Sequence, residues 1–164
     1  MNPAQLKLRG LTLISKACER GLTLIELLIV IVIISSLVIP LLVGYRGSRT
    51  NQALYASANE LADKMRNAHV FAREAKDEQE WGIESQGSSS YSLSSGKKSG
   101  SSIVNNFVLE PGVTFDKNFT IWFDIGTGEL KGANTQTVTL IGINGKRVDV
   151  TVLGTGVVEV GFLQ

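Results

Sequence analysis

From Leu22 to Val43 the chain is apolar almost without interruption, and Glu26 is the only charge in the run. Those 22 residues would form a helix about 33 Å long, which matches a bilayer hydrocarbon core of roughly 30 Å, so the pattern predicts a membrane-spanning helix. From Tyr45 to about Glu78 the pattern becomes amphipathic. Leu54, Ala58, Leu61, Met65, Ala68, Ala72 and Ala75 recur at three- and four-residue steps and form one narrow apolar face. Asp63, Lys64, Arg66, Arg73, Glu74, Lys76 and Asp77 fall on the opposite face and are read as solvent-facing or locally paired. The alanines suit close approach of a sheet.

After Trp81 the period changes to two. Ile121, Phe123 and Ile125 alternate with Trp122 and Asp124, Val138 and Leu140 with threonines, and Val148, Val150 and Val152 with Asp149 and Thr151. Ile143-Asn144-Gly145-Lys146 predicts a two-residue hairpin, because both central positions of a type I′ turn need positive φ. The expected fold is α+β: a long N-terminal helix, with a membrane-spanning half and an amphipathic half, packed on six to eight antiparallel strands in a roll. The expected segments are a leader 1–21, a spanning helix 22–43, an amphipathic helix 44–80 and a β-domain 81–164. Within the last, the serine- and glycine-rich stretch 85–102, with Lys97-Lys98, is expected to be a flexible hairpin tip or loop.

A carboxylate near the end of an apolar helix is costly in lipid and marks a partner or a function. Arg20-Gly21 followed by Leu22-Thr23-Leu24-Ile25-Glu26 resembles the class III signal of type IV pilin-like proteins, in which a prepilin peptidase cuts after a glycine and the fifth residue beyond the cut is glutamate. Cleavage after Gly21 would expose an amine at Leu22, one turn from Glu26, and packed helices could pair one chain's carboxylate with a neighbour's amine. Arg9-Gly10-Leu11-Thr12-Leu13-Ile14 nearly repeats the motif, but its fifth residue is Ser15 and the apolar stretch after it is too short to span. Gly10 is therefore rejected. An ordinary secretory signal would need a shorter apolar core and a small-x-small site after it, which residues 39–43 do not offer. The leader carries Lys7, Arg9, Lys16 and Arg20 against Glu19, an excess that favours a cytoplasmic leader and an exported C-terminus.

The resemblance implies N-methylation of the new terminus at Leu22, although such mature chains usually begin with phenylalanine. They often place a proline about twenty residues in, and Pro40 stands near that place. It deprives the Ser36 carbonyl of its helical donor, which predicts a kink that Ser35 and Ser36 could partly offset. Phe71-Ala72-Arg73-Glu74-Ala75 before a strand resembles the H-type minor pseudopilins of type II secretion and the related fimbrial T proteins. That likeness implies a minor pilin or pseudopilin subunit assembled into a type II secretion pseudopilus or a type IV pilus. Its implied partners are prepilin peptidase, other pilins or pseudopilins through the N-terminal helix, the inner-membrane assembly platform, and membrane lipid before assembly. Its implied location is the inner membrane as a single-pass protein, with the C-terminal domain periplasmic or extracellular, and then the filament.

Composition narrows the alternatives. The chain has 16 Lys+Arg and 15 Asp+Glu; without the leader's four cations and one acid, 12 and 14 remain, so the mature part is slightly acidic. A DNA-capture minor pilin is the alternative reading, but the C-terminal tail holds Glu159 and no arginine. The only adjacent basic pairs of the exported part are Lys97-Lys98 and Lys146-Arg147, too few to hold a duplex at physiological salt. Nucleic acid is not an expected partner. A third reading is a non-assembling membrane protein with a ligand-binding β-domain. The only cysteine, Cys18, lies in the leader, so the mature chain can form no internal disulfide; many major pilins close a C-terminal loop with one, and the resemblance therefore implies a minor or pseudopilin subunit. His69, the only histidine, is read as a helix-surface residue without a catalytic partner. No nucleophile elbow, phosphate loop or zinc spacing is present, and Asp124-Ile125-Gly126-Thr127-Gly128-Glu129 reads as a β-turn rather than a calcium loop. No enzyme activity, cofactor or metal is predicted.

Overall fold

The computed structural model describes residues 23–97, 100–132, 134–162 and 164, without the side chains of 39–44 and 46. The chain divides into two compact units, Met1–Leu42 and Val43–Gln164. In the described part of the first, the backbone forms the opening of helix α1 (Leu24–Arg73), and every described side chain from Leu24 to Val38 is exposed. Among the described residues no helix is long and apolar enough to cross a membrane; the predicted span, Leu22 to Val43, is described only in part.

In the second unit the rest of α1 packs on two antiparallel sheets. Sheet A has the order β3 (Ser102–Val108), β2 (Ser90–Ser95), β1 (Trp81–Ser85), β5 (Thr120–Phe123). Sheet B has the order β4 (Val113–Phe115), β6 (Thr135–Gly142), β7 (Arg147–Leu153), β8 (Val158–Val160). The predicted helical stripe is the helix's contribution to the core: Leu54, Ala58, Leu61, Met65, Ala68 and Ala72 are fully buried. They join Ile83, Tyr91, Ile121 and Phe123 of sheet A and Leu140, Val148, Val150 and Val152 of sheet B in one apolar cluster. Three of the six helical positions are alanine, so the backbone can approach the sheets without leaving voids.

Ala75 does not extend the stripe, because α1 ends at Arg73. The Ala72 carbonyl accepts from the amides of both Ala75 and Gly126, which tightens the last turn and turns the chain out. Ala75, Asp77 and Glu78 then take positive φ (51°, 58° and 52°) around a short 3-10 turn, Lys76–Glu78. This exit is held from outside: the Trp81 indole donates to the Lys76 carbonyl at 3.1 Å, and the Lys76 ammonium lies 4.0 Å from the Phe71 ring centre.

Three local expectations are corrected. The stretch expected to be a loop, 85–102, contains β2, an inner strand of sheet A, and the start of β3. Tyr91 and Leu93 supply the buried period-two signal, while Ser92 and Ser94 are fully buried as well, so serine content concealed a two-sided buried strand. Trp122, which the alternation places with Asp124 on the face opposite Ile121 and Phe123, is buried: its ring lies over Gly82, where an added Cβ would meet it at 2.5 Å, and its indole donates to Glu84 at 2.9 Å. The Asn-Gly hairpin is present without the type I′ turn. Of its residues only Gly145 has positive φ (78°), and the Gly145 amide bonds to the Gly142 carbonyl while the Gly142 amide bonds to that of Lys146. This is a three-residue loop closed by a left-handed glycine. Asn144 stabilises it by accepting from the Lys146 amide at 3.2 Å and donating to Asn51 of α1 at 2.9 Å.

Candidate assembly site

The N-terminal end of α1 holds the candidate chemistry. Thr23 precedes the helix, and its hydroxyl accepts from the Glu26 amide at 3.2 Å. The Glu26 carboxylate reaches back and accepts at 3.1 Å from both the amide and the hydroxyl of Thr23. A threonine and a glutamate three residues apart thus satisfy otherwise orphaned donors at the helix start, and the carboxylate lies where the helix dipole favours negative charge. The pattern Thr-x-x-Glu is present in the sequence, yet only the pairing role of Glu26 was predicted. Both contacts use one carboxylate oxygen, Oε2.

Beyond this cap, Leu24, Ile25, Leu27 to Ile34, Leu37 and Val38 form an apolar surface that the isolated chain leaves exposed. A surface of this kind is covered by lipid or by another apolar helix. The Ser36 hydroxyl donates to the Ile33 carbonyl at 2.8 Å, so it satisfies itself locally rather than compensating the Ser36 carbonyl. Helix α1 is continuous through position 40, and the side chain of Pro40 lies outside the description. Gly21 and Leu22, the predicted cleavage site and methylated terminus, also lie outside the described residues, as do Lys98 and the leader.

His69, expected on the helix surface, is half-buried and packed against other elements. Its ring meets Phe123 edge-on at 5.7 Å between centroids and fits against two glycine turns. A Cβ on Gly156 would meet the ring at 2.3 Å and the Gly128 carbonyl at 2.4 Å; one on Gly128 would meet the ring at 2.8 Å. The two Gly-Thr-Gly sequences, 126–128 and 154–156, therefore form a close-fitting seat for this helix side chain. Burial, and secondarily the charge of Arg73, hold the imidazole below its ordinary pKa. No group of histidine, cysteine and acidic side chains fit to hold a metal occurs among the described residues. The Asp124–Glu129 segment is a turn, closed by bonds from the Asp124 amide to Glu129 and from the Gly128 amide to Asp124.

Residues 16–42 match the prokaryotic N-terminal methylation motif. A crystal structure of the type IV minor pilin FimU from Pseudomonas aeruginosa (strain PAO1) is similar to this chain with a TM-score of 0.56 at 14% identity, covering 68% of this chain and 90% of that one. At that identity the likeness establishes the fold, which is that of a pilin. A search of curated proteins found no match.

Proposed function

We propose that this type IV pilin-like protein is a minor pilin or pseudopilin subunit, cut after Gly21, methylated at Leu22, and drawn from the inner membrane into a filament through α1. The observation that carries this reading is the pairing of a capped, acidic helix start with an exposed apolar surface, within residues that match the methylation motif. Before assembly, lipid covers that surface, and the largely apolar sequence Leu22 to Val43 supplies a single-pass span. After assembly, neighbouring helices replace lipid, with Pro40 allowing the helix to bend. Glu26 keeps its cap and offers its negative charge to a neighbour's terminal amine, so that two charges costly in lipid are neutralised together.

The subunit's role is mechanical and recognitional rather than catalytic, and the β-domain provides its contacts. The likeness of Phe71-Ala72-Arg73-Glu74-Ala75 to H-type pseudopilins favours a type II secretion pseudopilus, whereas the fold neighbour is a pilus subunit. Recovery of the mature chain in sheared filaments tests the proposal. The wild-type chain is expected there, and a Gly21→Ser variant is expected to stay in the membrane uncleaved. Wild-type chain confined to the membrane while the filaments form without it would overturn the reading.

A further inference from the structure

Each of the two sheets has two outer strands, and this chain covers three of those four edges itself. Along β5, residues 129–131 run beside the strand: the Lys131 amide donates to Trp122 at 2.8 Å, and Phe123 bridges Leu130. At β4 the Phe115 amide donates to the Ser88 carbonyl at 2.7 Å. At β8 the Val158 carbonyl accepts from the Arg66 guanidinium at 3.1 Å. Among the described residues, only β3 makes no hydrogen bond along its outer edge.

β3 also lacks most of the features that keep an edge solitary, its one irregularity being a bulge at Val104, which has no partner on β2. Its sequence, Ser-Ile-Val-Asn-Asn-Phe-Val, contains no charge and no proline, and Ile103, Val104 and Val108 are exposed by 54%, 45% and 71%. The strand is nevertheless firmly held from its inner side, since Phe107 stacks on Tyr91 at 5.2 Å and lies under the Lys64 ammonium at 4.6 Å. An ordered, uncharged, apolar edge is a template for another strand.

The distribution of residues selects the occupant. Two central amides, Asn105 and Asn106, are flanked on each side by apolar residues, Ile103-Val104 and Phe107-Val108. Exposed Lys97 lies before the strand and exposed Glu110 after it. Run antiparallel to itself, this strand sets amide beside amide, apolar end beside apolar end, and each copy's Lys97 end beside the other's Glu110 end. A parallel copy would place like charges together.

We infer that the outer edge of β3 is where two copies of this chain pair, strand to antiparallel strand, about a two-fold axis at Asn105 or Asn106. The pairing uses no residue of the capped helix start, so it is tested separately from entry into a filament. A residue on the two-fold faces its own copy with Cα atoms about 4.5–5.5 Å apart, within the range a disulfide bridges. Val108 is more exposed than Ile103 and Val104 but would lie more than about 13 Å from its copy.

The test uses the full chain in detergent with Cys18→Ser, so that one engineered cysteine is the only thiol. Under mild oxidation, Asn105→Cys or Asn106→Cys is expected to give at least about tenfold more disulfide dimer than Val108→Cys, as the two-fold geometry requires. Adding Val104→Lys to the cross-linking variant, which places charge on the edge, is expected to reduce the dimer several-fold while the monomer keeps its melting temperature. No dimer from either asparagine position, equal dimer from Val108→Cys, or disulfides formed only with another protein would overturn the inference.

Discussion

Thr23 and Glu26 cap one another: the threonine hydroxyl accepts from the glutamate amide at 3.2 Å, and the carboxylate accepts from the threonine amide and hydroxyl at 3.1 Å. Glu26 therefore has a structural role inside its own chain in addition to the proposed charge pairing between chains.

The two roles separate by substitution. Glutamine preserves a capping box of this kind and removes the charge, whereas alanine removes both. Glu26→Gln is expected to be processed and inserted normally yet recovered in sheared filaments at a small fraction of the wild-type amount. Thr23→Ala keeps the charge and weakens the helix start by about 1 kcal/mol, and is expected to assemble nearly normally. Normal filament recovery of Glu26→Gln would refute charge pairing and leave the cap as the glutamate's whole function.

Gly156→Ala tests the seat of His69. Gly156 has φ of 85°, and the new methyl would collide with the imidazole and with the Gly128 carbonyl. The variant is expected to lose roughly 2 kcal/mol or more of stability, from left-handed strain and overpacking together. The alanine variant at Gly126, which also has positive φ (80°) but nothing within 4 Å of an added Cβ, carries the strain alone. Thermal unfolding followed by circular dichroism should show a clearly larger fall for Gly156→Ala; equal falls would show that the His69 contact contributes nothing.

The same contact makes stability depend on pH. Because the folded imidazole is held below its ordinary value near 6.5, the unfolded chain binds the proton more readily. Stability is therefore complete above about pH 6.5 and declines as the pH falls below it. His69→Phe keeps a ring against Phe123 without titrating. Its melting temperature is expected to fall less than that of the wild type between pH 7.5 and 5.0, and an equal fall would remove His69 from the account.

Much of this architecture is legible in local pattern because it depends on local pattern. Leu54, Ala58, Leu61, Met65, Ala68 and Ala72 lie on one helical face whatever they pack against, and Val148, Val150 and Val152 lie on one face of a strand. What sequence conceals is set by pairing across distance. Ser92 and Ser94 look like loop residues until β1 and β3 flank them, and Trp122 looks solvent-facing until Gly82 makes room for its ring. The cap was readable in Thr23 and Glu26 but was masked by the stronger resemblance of the same glutamate to a processing signal. The role of His69 depends on two glycine turns distant from it in sequence, so no spacing rule exposes it.

The most direct measurement of the central claim is the N-terminal mass of the membrane-bound protein from cells with active prepilin peptidase. The account predicts a chain that begins at Leu22 and carries one added methyl group on its amine, and a Gly21→Ser variant that retains its leader. A wild-type chain still beginning near Met1 in such cells would contradict it.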